Sequence, residues 1–199
     1  SAIFDFTGDV TLTQLDLVEP RAARVMVGQD RIVFVMDELK QTVALADVFD
    51  VTRDVARGTL PDTPETVSIA FEVGGTREVA TIHARADTLV WFQGALYGQL
   101  LDDMQCVVSH EPNRDSNERS RGRFTLEVTA SRIRFKPEAE ADPEITVLRD
   151  EIFEFRALEN TVGDRNSPEV LLVSRDDDEV TRTTVCLPST RHRNLFGRY

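Results

Sequence analysis

Lysine is almost missing from this chain. Of the 23 basic residues in 199, only Lys40 and Lys136 are lysine and the other 21 are arginine; 35 acids outweigh them, for a net charge of −12. Such a balance argues against nucleic acid or an anionic membrane surface as partner, since both select a net basic face. Histidine is scarce too. His83, His110 and His192 have no partner at a metal-ligand spacing such as HExxH, and a lone imidazole supplies too few ligands for a metal site. The two cysteines, Cys106 and Cys186, are far apart in sequence and read as reduced, small apolar core residues. No apolar run is long enough to span a bilayer, and no signal-peptide pattern opens the chain. GxSxG, GxxxxGK[ST] and a GxGxxG after a strand are all missing, which removes a serine nucleophile and a phosphate cradle from consideration. These gaps lead us to expect a cytoplasmic protein that is not an enzyme and holds no cofactor or metal.

What is present is acid, valine, threonine and arginine. Acidic and nearly lysine-free composition resembles that of proteins from halophilic archaea. In about 1 M salt the screening length is only ~3 Å, so a large negative charge repels itself little. The apolar content of 41% is that of a globular chain, and 199 residues suffice for two domains with separate cores.

The longest apolar stretch is Asp87–Gln105. Leu89, Phe92, Leu96 and Leu100 recur at helical spacing, Val90, Tyr97, Leu101 and Met104 widen the stripe, and Asp87 is placed to cap the first turn. Trp91 reads as core packing. Before this helix the chain is β-rich. Residues 1–20 suggest a strand and a loop ended by Pro20. Arg24–Met36 carries two apolar runs around Gly28–Arg31, a hairpin pattern. Val67, Ile69 and Phe71 alternate with small residues, and Gly74-Gly75 turns the strand back.

The same order then returns about 100 residues later. Arg132-Ile133-Arg134-Phe135 matches Arg31-Ile32-Val33-Phe34, and Asn194-Leu195-Phe196-Gly197-Arg198-Tyr199 matches Ala95-Leu96-Tyr97-Gly98-Gln99-Leu100. His110–Arg121 holds no apolar residue except a proline. The expectation is an α+β chain of two tandem pleckstrin-homology-like domains, each a small antiparallel sheet or partly open barrel closed by a C-terminal helix. Residues 1–108 form the first, 109–122 a linker or exposed loop, and 123–199 the second.

Among charged residues, Asp176–Glu179 lacks the alternating ligands of a calcium loop and reads as a hairpin tip. Asp102-Asp103 ends a helix where negative charge is mildly unfavourable, and reads as surface decoration. The arginines form local basic islands. Arg114, Arg119, Arg121 and Arg123 crowd the linker, and Arg191 and Arg193 the last helix. They pair with surface acids on the simplest reading, or dock an acidic partner through guanidinium forks.

Several segments resemble a known family. Asn194–Tyr199 resembles the N-L-L-G-R-Y/F segment of the archaeal taxis protein CheF family. Leu89–Leu101 is similar to the helix ending that family's first half, and Val43–Val51 resembles its PL-x-x-VFDV strand. The likeness spans roughly residues 24–106 and 123–199. Family members usually continue into a further C-terminal segment, so a chain ending at Tyr199 is expected to be truncated. The resemblance implies an adaptor that binds the response regulator CheY, preferably phosphorylated, and links it to the switch proteins of the archaellum motor. A pleckstrin-homology-like lipid- or phospholigand-binding module is the alternative. A small hydrolase comes last, because no convergent titratable groups are recognisable.

Overall fold

The computed structural model of the chain describes residues 2–54, 64–112, 120–158, 168–176 and 179–199. Seven strands come first: β1 (Phe4–Leu12), β2 (Leu17–Val27), β3 (Arg31–Met36), β4 (Leu39–Ala44), β5 (Val48–Asp54), β6 (Glu65–Val73) and β7 (Thr76–Ala84). Helix α1 (Ala86–Leu101) follows. Seven more strands then repeat the plan: β8 (Met104–Glu111), β9 (Ser120–Val128), β10 (Arg132–Pro137), β11 (Ile145–Leu148), β12 (Ile152–Leu158), β13 (Glu169–Asp176) and β14 (Glu179–Cys186), before α2 (Thr190–Arg198).

The strand order is β4-β3-β2-β1-β7-β6-β5 in one sheet and β11-β10-β9-β8-β14-β13-β12 in the other. Adding seven to each strand of the first order gives the second, so the duplication read from sequence is a duplication of topology. Both sheets are antiparallel and curled. The chain divides into two compact units, Ser1–Leu100 and Leu101–Gly197, with Tyr199 grouping with the second.

Alternation decides what each sheet buries. In β3, Ile32 and Phe34 have no exposed surface; their counterparts in β10, Ile133 and Phe135, are 2% and 0% exposed. Val67, Ile69 and Phe71 line the inside of β6, as their spacing requires. Burying each such side chain contributes roughly 1.5–3 kcal/mol. Gly74 and Gly75 take φ of +59° and +82°, the left-handed region that a tight β6–β7 turn requires. The pairing of β5 with β6 shifts register between Val48 and Asp50, and that of β12 with β13 shifts between Ile152 and Glu154. The bulge is thus repeated, at Phe49 and Phe153. An arginine guanidinium lies 5.2 Å over each ring, Arg77 over Phe49 and Arg175 over Phe153.

Each helix touches its own sheet through named contacts. On α1, Leu89, Phe92 and Leu96 are fully buried, Phe92 meets Phe6 of β1 at 5.3 Å, and the Tyr97 hydroxyl donates to the Val51 carbonyl of β5 at 3.3 Å. On α2, Leu195 is fully buried and Phe196 packs on Phe155 of β12 at 6.2 Å. A Cβ at Gly197 would meet the Phe155 ring at 3.2 Å, which explains a glycine there.

Several expectations are corrected. Helix α1 stops at Leu101, and Met104 and Gln105 already belong to β8, which pairs with β9 and β14. Val107 and Val108 therefore sit in the second sheet rather than completing the first. Of the segment expected as a linker or exposed loop, 109–122, residues 109–111 end β8 and residues 120–122 begin β9; residues 113–119 lie outside the described ones. Pro20 lies inside β2, in the stretch between the pairings Leu12 with Leu17 and Val10 with Arg21, where no ladder bond needs its missing N–H. Asp87 accepts from the adjacent Thr88 N–H at 2.7 Å, inside the helix rather than ahead of it. Trp91, expected in the core, is 66% exposed and Val90 is 42% exposed. Cys186 is half-buried, whereas Cys106 fits the core expectation.

One buried ion pair fixes the start of α1. Arg53 on β5 grips the Glu65 carboxylate through Nε at 2.7 Å and through Nη2, and reaches the Ala86 carbonyl at 3.3 Å and Gln93 at 3.4 Å. Glu65 is only 9% exposed. Replacing Arg53 by alanine strands that charge, and should destabilise the fold by about 3 kcal/mol in denaturant unfolding.

Candidate functional site

Strand β9 shows how the arginines become a surface. Phe124, Leu126 and Val128 point inward at 1%, 0% and 3% exposure. With a period of two, Arg121 and Arg123 must face outward, and both are exposed. Register then sets their neighbours. Arg123 pairs with Val107 on β8, and Val107 pairs with Cys186 on β14; Arg121 pairs with Ser109, and Ser109 with Thr184. A depression of about 380 Å³ lies beside the first of these rows, lined by Val107, Arg123, Glu138, Cys186, Leu187 and Pro188 among others.

The neighbouring basic residues are neutralised. Arg134 on β10 bonds Glu127 at 3.0 Å and Glu144 at 2.9 Å, and Lys136 contacts Glu127 as well. The Lys136 ammonium, with Arg134, holds the Glu127 carboxyl below the usual range. Arg121 and Arg123 have no ion pair among the described residues.

Of the other arginines singled out by sequence, Arg191 and Arg193 lie half-buried on α2, and Arg191 has interactions of its own. Arg114 and Arg119 lie outside the described residues. The structure thus groups Arg121 with Arg123 on one strand face and puts Arg191 and Arg193 on a different element.

Two of the three histidines, His110 and His192, have side-chain hydrogen-bonding partners. His110 on β8 has Nδ1 2.9 Å from the Thr183 hydroxyl, and burial lowers its pKa. His192 donates its backbone N–H to Ser189 Oγ, the α2 N-cap, at 3.3 Å and places Nδ1 2.7 Å from the same oxygen. Burial and the Arg191 charge hold its imidazole below the ordinary value. Burial pushes the Cys106 thiol up to about 12, so it is a poor nucleophile. Alternation puts Cys106 on the inward face with Val108 and Cys186 on the outward face with Val107. Among the described residues, no three His, Cys, Asp or Glu side chains gather where they could hold a metal ion, and no helix is long and apolar enough to cross a membrane.

Residues 2–199 match the family model described as Archaeal Chemotaxis signal transduction system protein F. The chain belongs to this CheF family. It is 28% identical over 204 residues to Taxis protein CheF2 of Halobacterium salinarum (strain ATCC 29341 / DSM 671 / R1), covering all of this chain and 69% of that protein. Among solved structures, the Spt16D Pob3N heterodimer is similar at 14% identity with a TM-score of 0.34, covering 96% of this chain and 99% of the other. That likeness is too low to bear on fold or function. A CheF chain is a taxis protein, and its role is in chemotaxis signalling.

The CheF-like segments have structural explanations. VFDV holds the β5 bulge at Phe49. Asn194–Tyr199 seats α2: Leu195 and Phe196 are buried, and the Tyr199 hydroxyl donates to the carbonyls of Thr129 and, at 3.1 Å, Arg132. Arg149 stacks 4.3 Å over the Tyr199 ring and also binds its carbonyl. Burial foremost pushes the Tyr199 phenol up to about 12. Sequence reasoning missed the depression and Cys186. The available signal was the alternation in Arg121–Val128, which marks a strand with an arginine face.

Asp102-Asp103 is not decoration. Asp103 takes φ of +60° and donates its N–H to the Leu126 carbonyl at 2.9 Å, while Asp102 Oδ1 accepts from the Val128 N–H at 2.7 Å. The two aspartates join the turn after α1 to the end of β9. Desolvation raises the Asp102 pKa, against the lowering effect of the Val128 hydrogen bond. A raised folded-state pKa means that ionisation costs the fold stability. The cost is absent below the unfolded value of about 3.8 and complete once pH exceeds the folded value. Asp102→Asn keeps the acceptor without the charge. Its stability relative to wild type should rise with pH through the acidic range and then level off. Asp102→Ala loses the acceptor as well and should lie about 1 kcal/mol below Asp102→Asn at every pH. Urea unfolding between acid and neutral pH reads both.

Proposed function

We propose that this CheF chain is a non-enzymatic adaptor. It binds the CheY-type response regulator, preferring the phosphorylated form, and links it to the switch proteins of the archaellum motor in the cytoplasm. Family membership over residues 2–199 carries this reading. The duplicated architecture supports it: two curled seven-stranded antiparallel sheets, each followed by a helix, offer separate faces to separate partners. A charge of −12 is compatible with protein partners and disfavours nucleic acid and anionic lipid. Arginines of the second unit (Arg121, Arg123, Arg191 and Arg193, with Arg114 and Arg119 between β8 and β9) contribute contacts to acidic partners through guanidinium forks. Phosphorylation alters the receiver surface that such a partner reads.

The test is retention of CheY by the immobilised chain at fixed high salt, with and without beryllofluoride as a phosphoryl mimic. Binding about fivefold or more tighter with beryllofluoride is expected, the size of an ordinary allosteric coupling. No retention in either state would refute the adaptor reading. Retention of archaellum switch proteins on the same resin tests its second half.

A further inference from the structure

We propose that the outward face of the second sheet around Arg121, Arg123 and the depression beside Val107 and Cys186 is the seat for CheY. It would receive a segment carrying a carboxylate next to an apolar side chain. The inference rests on the adaptor reading and says where and by what chemistry the contact is made.

Two features converge there. One is charge. Arg121 and Arg123 stand two residues apart on one exposed strand face, and neither forms an ion pair among the described residues. The other is shape. The depression of about 380 Å³ presents Val107, Leu187, Pro188 and Cys186 beside Arg123, with Glu138 as its carboxylate. The arginines match a carboxylate and the depression matches an apolar side chain. A free phosphate would gain nothing from the apolar part.

The duplication shows that the fold does not require this chemistry. At the equivalent place in the first sheet, Asp9 of β1 pairs with Ala22 of β2 and His83 of β7. The second sheet has Val107, Arg123 and Cys186 in those roles. The backbone positions correspond, and an acid has given way to an apolar residue with an arginine beside it. The two copies therefore differ in charge sign at one matched spot, as separate partners would demand.

The experiment uses the whole chain and beryllofluoride-loaded CheY. Cys186 is half-buried in the depression, and Cys106 is buried with its thiol pushed up to about 12, so N-ethylmaleimide should modify Cys186 alone. With CheY at about ten times its Kd, modification of Cys186 should slow roughly tenfold. Arg121→Glu with Arg123→Glu should weaken CheY binding about tenfold or more. Arg85→Glu, in the first unit, should bind CheY as wild type does. If CheY binds but Cys186 modification is unchanged, or the double variant binds as tightly as wild type, the seat is elsewhere and the adaptor reading stands. If CheY does not bind at all, both fall. The protection arm needs no variant, so a variant that fails to fold leaves the question answerable.

Discussion

Leu96 and Leu195 have no exposed surface, and each stands one residue before an aromatic and two before a glycine on the helix of its own unit. The rest of the structure depends on this seat. A curled sheet of seven strands has one inner face to bury, and the helix brings a leucine and a ring to it. The two seats are finished differently. Tyr97 donates to the Val51 carbonyl on β5. Phe196, at the matching place, has no hydroxyl, and the polar contact moves to Tyr199, which donates to Thr129 and Arg132 under the Arg149 guanidinium. The apolar contact is shared by the copies while the hydrogen bond has been relocated.

Several inward positions keep their character between copies: Ile32 with Ile133, Phe34 with Phe135, and the register shift at Phe49 repeated at Phe153. Others diverge, with Phe71 matched by Ser174 and Leu12 by His110. Outward positions are free of packing, and there Asp9 and Ala22 stand against Val107 and Arg123. For a taxis signalling family this is a physically reasonable division. Cores conserve geometry, and faces of opposite local charge can recognise different proteins.

Much of this was legible in the residues. The alternation of Val67, Ile69 and Phe71, the glycine turn at 74 and 75, and the return of the whole pattern about 100 residues later each follow from local periodicity, which a sheet obeys directly. The misreadings came where tertiary context decides. Helix α1 is apolar on nearly every side, so its spacing could not reveal that Trp91 and Val90 face outward. The value of Asp102 depends on Val128, 26 residues further on. The polar run after His110 does not show that residues 109–111 and 120–122 belong to paired strands; register does. The arginines were visible as a cluster. Only register shows that Arg121 and Arg123 share a face beside Val107 and Cys186.

The most direct test of the duplicated seat is the stability of Leu96→Ala and Leu195→Ala in the whole chain, measured by denaturant unfolding with probes in each unit. Both side chains are fully buried, so each truncation should cost about 2–5 kcal/mol. Either variant unfolding within about 0.5 kcal/mol of wild type, as an exposed substitution would, would contradict the account.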